Sequence, residues 1–286
     1  MTRSIDPIVS TDWLQTHLND DGLVIIDVRW EEEYEAGHIP GAISVPFAAL
    51  SVWADSDDTL LLELPPEADL LRLIGDCGLS SESKVVVVGR LEPPPAPPYA
   101  LADAVRVAVT LTYAGVTNVA VLAGGHPKWA KEGREATTEV PEVTPITYGG
   151  TVDKDMFVST EYVKDRVGTS VIVDGRDPDQ YFGATADPFV DMRGHIPTAR
   201  SLPLIWVWEK DGTYRPVELI SDMATGVIGE DREQEVLLYC GVGGYASTWW
   251  FLLTQVLGYT NVRIYDGSME GWVGAHNPLV AYTWTS

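Results

Sequence analysis

EVLLYCGVGGYASTWWFLLTQVLGY, residues 235–259, predicts a strand, a glycine loop and a helix in immediate succession. Residues 236–240 are apolar on both faces, which is typical of a strand buried inside a parallel sheet. The apolar run that follows predicts a helix ending at Gly258, because glycine is a common residue just past a helix end. Cys240 therefore lies at the carboxyl end of a strand, and residues 241–245 connect it to a helix N-terminus.

Cys240 stands at the edge of the sheet where parallel α/β folds bind ligands. Loop glycines allow successive backbone N–H groups to turn towards an anion, and the helix N-terminus adds a partial positive charge. We therefore predict that Cys240 is a nucleophile with a lowered pKa. The alternative is an ordinary buried cysteine. Cys77, at a helix end before a turn in LIGDCGLS, is assigned to that alternative.

The same order of sequence motifs occurs twice in the chain. Both copies contain an apolar strand ending in Asp-x-Arg, a helical turn with a tyrosine, and Gly-His-Ile-Pro. The copies are LVIIDVRWEEEYEAGHIPGAISVPF (23–47) and SVIVDGRDPDQYFGATADPFVDMRGHIPTARSLPL (170–204). Such alternation of strands and helices predicts parallel pairing, because parallel strands need crossover connections.

The following segments repeat as well, in the same order. KVVVVGR (84–90) corresponds to EVLLYCG (235–241), and AGVTNVAVLAGGHPKW (114–129) corresponds to LGYTNVRIYDGSMEGW (257–272). The prediction is an α/β protein with two tandem copies of one domain, each a parallel sheet flanked by helices. A linker rich in Pro, Thr and Gly near residues 137–150 separates the predicted domains, 1–140 and 150–286.

The composition and net charge of the chain exclude several kinds of partner and cofactor. The 286 residues include 19 Lys and Arg against 42 Asp and Glu, a formal net charge of -23. That balance argues against partners such as nucleic acid or anionic membranes, which attract basic proteins. A polar N-terminus and the lack of a bilayer-length apolar run predict a cytoplasmic protein. Cys77 and Cys240 form neither a disulfide framework nor a zinc motif, so no metal or other cofactor is predicted, and the oligomeric state stays unknown.

The repeated motifs and the cysteine loop resemble those of the two-domain rhodanese family of thiosulfate and 3-mercaptopyruvate sulfurtransferases. The resemblance covers nearly the whole chain and includes both Gly-His-Ile-Pro motifs, DGTYRP (211–216) and YDGSMEGW (265–272). It implies tandem rhodanese-like domains and a persulfide on Cys240. The sulfur would come from a small-molecule donor and pass to cyanide or a thiol acceptor. The resemblance also implies that the first domain has no nucleophile. The segment of the first domain that corresponds to the cysteine loop, residues 89–103, indeed contains no cysteine.

The loop departs from both usual patterns of that family. Mercaptopyruvate enzymes usually carry Cys-Gly-Ser-Gly-Val-Thr, and thiosulfate enzymes usually carry basic residues after the cysteine. Here the active-site loop consists of Gly241, Val242, Gly243, Gly244 and Tyr245. With no basic residue, the loop leaves the donor open between thiosulfate and a mercaptopyruvate-like compound. The Tyr245 hydroxyl either donates to the sulfur or reaches water while the ring packs.

A second departure concerns substrate binding. Many family members carry a substrate-binding arginine just before the aromatic residue, whereas Gln180 occupies that place before Tyr181. The substrate-binding candidates are therefore Gln180 itself, Arg176 and Arg193. The two motif histidines, His38 and His195, are interpreted as turn residues bonded to the backbone.

Two other functions compete with catalysis of sulfur transfer. A phosphatase of the related cysteine-loop type requires an arginine after five intervening residues, and Ala246 occupies that position, so a phosphate would lack its bidentate clamp. A persulfide carrier would keep Cys240 but relay sulfur to a partner protein without turnover. The absence of loop cations leaves the carrier hypothesis open.

Overall fold

The structure is a computed structural model that describes residues 3–48, 50–92, 96 and 98–284. Residues 93–95 and 97, in the proline-rich counterpart of the cysteine loop, lie outside that set. The chain divides into two compact units. The first comprises Met1–Ala54, Leu64–Asp153 and Trp208–Tyr214, and the second comprises Asp55–Glu63, Lys154–Val207 and Arg215–Ser286.

The first unit contains five strands and five helices among its described residues. Its strands are β1 (Ile8–Val9), β2 (Leu23–Asp27), β3 (Ala42–Ser44), β4 (Lys84–Val88) and β5 (Asn118–Leu122). Its helices are α1 (Thr11–His17), α2 (Glu31–Ala36), α3 (Glu67–Asp76), α4 (Leu101–Tyr113) and α5 (Gly125–Lys131). All five strands pair in parallel in the order β1-β5-β4-β2-β3.

The second unit repeats this arrangement. Its strands are β6 (Phe157–Val158), β7 (Val171–Asp174), β8 (Arg200–Ser201), β9 (Val236–Tyr239) and β10 (Val262–Tyr265). Its helices are α6 (Thr160–Lys164), α7 (Pro178–Phe182), α8 (Val217–Ile228), α9 (Ala246–Phe251) and α10 (Ser268–Gly274). The parallel order β6-β10-β9-β7-β8 is the same permutation as in the first unit.

The central strands of both sheets are buried, as their apolar sequences predict. Val86 and Val87 of β4 and Leu237 of β9 are fully buried, because helices cover both faces of a parallel sheet. The helices that begin each unit have the same cap. The hydroxyl of Ser10 accepts a hydrogen bond from the N–H of Trp13, and Ser159 occupies the corresponding position in the second unit.

The repeated motif histidines bond to the backbone in both units, which confirms their interpretation as turn residues. Nδ1 of His38 lies 3.0 Å from the carbonyl oxygen of Tyr34, and Nδ1 of His195 lies 2.8 Å from that of Tyr181. Each imidazole also stacks on its tyrosine ring. The paired residues are four apart in the first unit and fourteen apart in the second. The second unit therefore carries ten additional residues between them.

The helix after the cysteine loop ends next to Gly258, as predicted, but its second half is not α-helical. It begins at Ala246 and remains α-helical to Phe251, after which residues Leu252–Val256 form a π-helical turn. Gly258 follows with a φ of +75°, in the left-handed region that favours glycine at helix ends. In the part of the chain that is described, every helix is too short or too polar to cross a membrane.

Candidate active site

Cys240 is placed by the end of β9 and by the residues that begin α10. Its carbonyl oxygen accepts a hydrogen bond from the N–H of Met269 at 3.1 Å, and its own N–H donates to Oγ of Ser268, also at 3.1 Å. Only 1% of the residue is exposed. Both backbone polar groups of the cysteine are thus engaged, which holds its Cα–Cβ bond in a defined direction.

The loop surrounds the thiol with backbone donors, as the glycine pattern predicts. Four N–H groups hydrogen-bond to the sulfur, those of Ala246, Val242, Tyr245 and Gly243. Ala246 is also the first residue of α9, so the helix N-terminus faces the sulfur. A negative charge on the sulfur, or on a second sulfur attached to it, would be stabilised by these groups.

The prediction of a lowered pKa for Cys240 is wrong for the free thiol. Burial raises the pKa of this thiol above its ordinary value, although the four N–H groups lower it. Removal from water disfavours the thiolate more than the dipoles favour it. Sequence reasoning counted the N–H donors but had no measure of how completely the sulfur is buried. The free cysteine is therefore protonated at neutral pH, and its proton must leave when the sulfur attacks.

Gly243 is required by the path of the loop. Its φ is +85°, and a Cβ built on it would lie 2.5 Å from the carbonyl oxygen of Asp266. Both the conformation and the space exclude other residues. This close approach turns the N–H of Gly243 inward, towards the sulfur.

Two residues of the ten-residue insertion cover the other side of the loop. A Cβ built on Gly241 would lie 3.1 Å from the ring of Phe189 and 3.4 Å from Oδ2 of Asp187. Asp187 is 1% exposed, and its Oδ1 accepts a hydrogen bond from the N–H of Phe189 at 2.9 Å. The insertion thus places an aromatic ring and a carboxylate against the residue that follows the nucleophile.

A second carboxylate lies near the same loop. The N–H of Glu270 donates to the carbonyl oxygen of Gly241 at 3.2 Å, and its side chain accepts a hydrogen bond from the N–H of Leu61 at 2.7 Å. Burial raises the pKa of Glu270, and the negative charges of Asp187 and Asp57 raise it further. Burial is the larger cause of this shift, and the two carboxylates add to it.

Arg176 is buried among carboxylates. Its Nη2 donates to Oδ2 of Asp174 at 2.6 Å and its Nη1 donates to Oδ2 of Asp187 at 3.1 Å. Nη2 also donates to the carbonyl oxygen of Gly194. Arg29 has the same bidentate contact with Asp27 in the first unit. Each Asp-x-Arg therefore forms a buried ion pair, and substrate binding by Arg176 stays a prediction.

The other predicted substrate-binding residues lie near the two ends of the segment that contains the insertion. Gln180 is half-buried on α7. Arg193 is exposed, and its Nη1 donates to the carbonyl oxygens of Gly183 and Ala184. Tyr245, at the N-cap position of α9, is half-buried, and its backbone N–H reaches the sulfur. Roles for these side chains in substrate binding or catalysis stay predictions.

Cys77 lies where the sequence predicts, at the C-cap of α3. It is 8% exposed, and burial followed by the charge of Asp76 raises its pKa to about 11. None of the causes of that shift is a backbone N–H bond, in contrast to Cys240. Among the described residues, no group of three or more His, Cys, Asp or Glu side chains is arranged to hold a metal ion.

Ser268 is the site residue that sequence reasoning missed. Its hydroxyl accepts the N–H of Cys240 and donates to the carbonyl oxygen of Tyr265 at 2.9 Å. A signal was present in the repeat, because LAGGHPKW in the first unit aligns with YDGSMEGW in the second. That alignment sets Ser268 opposite Gly125, so a hydroxyl appears only in the copy that has a cysteine.

Comparisons with known proteins agree with this geometry. The Rhodanese-like domain matches the chain twice, at residues 10–132 and 159–275. A relative from Saccharopolyspora erythraea, named a putative thiosulfate sulfurtransferase, is 30% identical over 91% of this chain and 91% of its own length. Another from Thermus thermophilus, the sulfur carrier protein TtuD, is 30% identical over 93% of both chains.

Solved structures show the same architecture. SseA from Escherichia coli, described as a 3-mercaptopyruvate sulfotransferase with a rhodanese fold, superimposes with a TM-score of 0.76 at 24% identity. The match covers 92% of this chain and 99% of SseA. At that identity the likeness establishes the fold.

Two successive α/β units with a cysteine loop in the second define a tandem-domain protein of the sulfur-transfer class. The chain belongs to the rhodanese family. The family, the two-domain fold and the enzyme class predicted from the sequence, a sulfurtransferase, are confirmed by these matches.

Proposed function

We propose that Cys240 accepts a sulfane sulfur from a small donor, holds it as a persulfide, and transfers it to cyanide or a thiol. The observation that carries this proposal is the convergence of four backbone N–H groups on a buried sulfur at the start of α9. Such a site suits the anionic outer sulfur of a persulfide, which needs dipoles rather than water around it.

The two half-reactions balance without an external oxidant or reductant. With a mercaptopyruvate-like donor, the carbon–sulfur bond breaks and a sulfur–sulfur bond forms on Cys240. The Cys240 proton passes to the donor's methylene carbon, which completes pyruvate, and the donor's own thiol proton leaves to water as the persulfide ionises, to be returned when the thiol is regenerated. The persulfide then loses its outer sulfur to cyanide as thiocyanate, and the Cys240 thiol is regenerated. The raised pKa of Cys240 fits a donor step in which the thiol supplies a proton to the leaving carbon.

A carbon-bound sulfur donor suits the site better than thiosulfate. Thiosulfate is a dianion, and the loop offers N–H dipoles without a lysine or arginine in residues 241–245. The carboxylates of Asp187 and Glu270 lie beside the loop, and the guanidinium of Arg176 is already shared between Asp174 and Asp187, which leaves a dianion without a cation of its own there. We assign catalysis to the domain of residues 150–286, and a supporting role without a nucleophile to residues 1–140.

The second candidate function is a persulfide carrier that relays sulfur to a partner protein. The name of the Thermus thermophilus relative, a sulfur carrier protein, supports it. Either function suits the cytoplasm, where thiols are kept reduced.

Intact mass measurement tests the proposal. The protein is incubated with thiosulfate or with 3-mercaptopyruvate, and its mass is recorded before and after addition of cyanide. We expect a gain of one sulfur that cyanide removes, and no gain in Cys240→Ser. Rapid turnover with cyanide or small thiols supports the enzyme, whereas stoichiometric loading with poor turnover supports the carrier. A wild-type protein that gains no sulfur from either donor contradicts both.

A further inference from the structure

Ser268 has a strained backbone in a fully buried position. Its φ is +47°, a left-handed conformation that costs a residue with a side chain free energy, and it is 0% exposed. Strain of this kind persists where the surrounding structure enforces it, and it concentrates at functional sites. A glycine at this position would have the same backbone without the cost.

The first unit provides an internal control for this position. The N–H of His126 donates to the carbonyl oxygen of Gly89 at 3.0 Å, just as the N–H of Met269 donates to that of Cys240. Gly125 precedes His126 as Ser268 precedes Met269, and its φ is +56°. The repeat therefore uses the same left-handed backbone twice. It carries glycine in the copy that has no cysteine and serine in the copy that has one.

The geometry points to Ser268 as a positioning residue that aims the Cys240 sulfur at the loop N–H groups, an assignment that rests on the proposed function. Its hydroxyl donates a hydrogen bond to the carbonyl oxygen of Tyr265, the last residue of β10, and accepts one from the backbone N–H of Cys240. With its N–H held by Ser268 and its carbonyl held by Met269, the Cys240 peptide cannot rotate. The direction of its side chain is then set by two hydrogen bonds on either side of Cα.

Loss of the hydroxyl should move the sulfur without exposing it. The Cys240 N–H is buried, so it would seek another acceptor or remain unpaired, and either outcome shifts the cysteine backbone. A small displacement weakens all four N–H contacts to the sulfur at once. Misplacement of a reacting group by about 1 Å costs on the order of a hundredfold in rate.

Two variants separate positioning from stability. Ser268→Gly removes the hydroxyl and relieves the strained φ, so it should be more stable than a variant that loses the same hydrogen bond and keeps the strain. Ser268→Ala removes the hydroxyl and keeps the strain. Ser170→Ala is the matched control, because it deletes another serine hydroxyl of the same unit. Ser170 directly precedes β7, and its hydroxyl donates a hydrogen bond to the carboxylate of Glu235. Each variant is prepared as the full chain, with Cys77→Ser throughout so that only Cys240 reacts.

Iodoacetamide alkylation of Cys240 across pH, sulfur loading and thermal unfolding are then measured. We expect both Ser268 variants to slow alkylation and loading by about ten- to a hundredfold. The alkylation pKa should rise, since the N–H groups no longer stabilise the thiolate. The Ser268→Gly protein should unfold at a higher temperature than Ser268→Ala, although both lose the same hydrogen bond, and Ser170→Ala should keep wild-type rates.

Wild-type rates and an unchanged alkylation pKa in folded Ser268→Gly overturn the assignment, as does an equal loss in Ser170→Ala. The alkylation readout needs no sulfur donor. A wild-type chain that takes up no sulfur would therefore defeat the proposed function, while a shifted alkylation pKa in the variants would still support positioning of Cys240 by Ser268.

Discussion

The N–H of Met269 donates a hydrogen bond to the carbonyl oxygen of Cys240 at 3.1 Å. The same bond occurs in the first unit between His126 and Gly89, which identifies Gly89 as the residue at the nucleophile position of that unit. The first copy keeps the strand, the helix after it and the left-handed turn, but it has glycine instead of cysteine at that position. Chemistry of the proposed kind therefore depends on one cysteine of the two in the chain.

Replacement of that cysteine should abolish sulfur transfer. Cys240→Ser should show no turnover above background and no sulfur adduct, because a hydroxyl cannot form the persulfide. Circular dichroism and thermal unfolding should match those of the wild type, since the two side chains differ little in volume. Cys77→Ser is the control and should retain nearly full activity, because Cys77 caps α3 and the causes of its pKa shift are burial and Asp76 rather than backbone N–H groups. Turnover by the Cys240 variant would refute the mechanism.

Thiosulfate should be a poorer donor than 3-mercaptopyruvate. The loop stabilises charge by dipoles alone, and the guanidinium of Arg176 is already shared between Asp174 and Asp187, so a dianion would have no cation of its own there. Steady-state kinetics with cyanide as acceptor give kcat/KM for each donor. Weakening of the difference at high ionic strength would support an electrostatic cause, because salt screens charge. A kcat/KM for thiosulfate equal to or above that for mercaptopyruvate would disprove the prediction.

Tyr245→Phe tests whether the tyrosine hydroxyl acts on the sulfur. A hydrogen bond to a charged group contributes roughly 1.5–3 kcal/mol, so its loss should lower kcat/KM by about ten- to a hundredfold. The alkylation pKa of Cys240 should rise as well, because one stabiliser of the thiolate is removed. The backbone N–H of Tyr245 reaches the sulfur in either protein, so the substitution isolates the hydroxyl. Unchanged turnover and pKa would assign the ring to packing.

Alkylation of free Cys240 should increase with pH well into the alkaline range. Burial raises the pKa of this thiol above the ordinary value of about 8.5, so the rate should show no plateau near neutral pH. Because its pKa is higher in the folded state than in the unfolded state, the Cys240 thiol stays protonated to a higher pH in the folded protein. Stability from this group is complete below the unfolded pKa and declines as pH rises towards the folded one. Iodoacetamide rates in Cys77→Ser from pH 6 to pH 10 test this, and a neutral plateau would show that the N–H groups outweigh burial.

The repeat made most of the fold predictable. Asp27 and Asp174 end equivalent strands, and the arginine two residues after each one folds back onto it with the same bidentate contact. Strands, turns and the helices that connect parallel strands depend mainly on residues close in the chain, so sequence patterns can predict them. The end of α9 was less predictable, because a π-helical turn is rare and departs from the regular α-helical hydrogen bonding that an apolar run indicates.

The position of Cys240, the loop glycines and the donors around the sulfur were determined by the sequence itself, since a strand, a glycine loop and a helix N-terminus are consecutive in the chain. Tertiary structure alone decided the pKa of the thiol, the approach of Asp187 to Gly241 and the bond from Cys240 to Ser268. Those features join residues dozens of positions apart or depend on exclusion of water. Burial and long-range contact are properties of the packed chain, and no stretch of sequence read in isolation contains them.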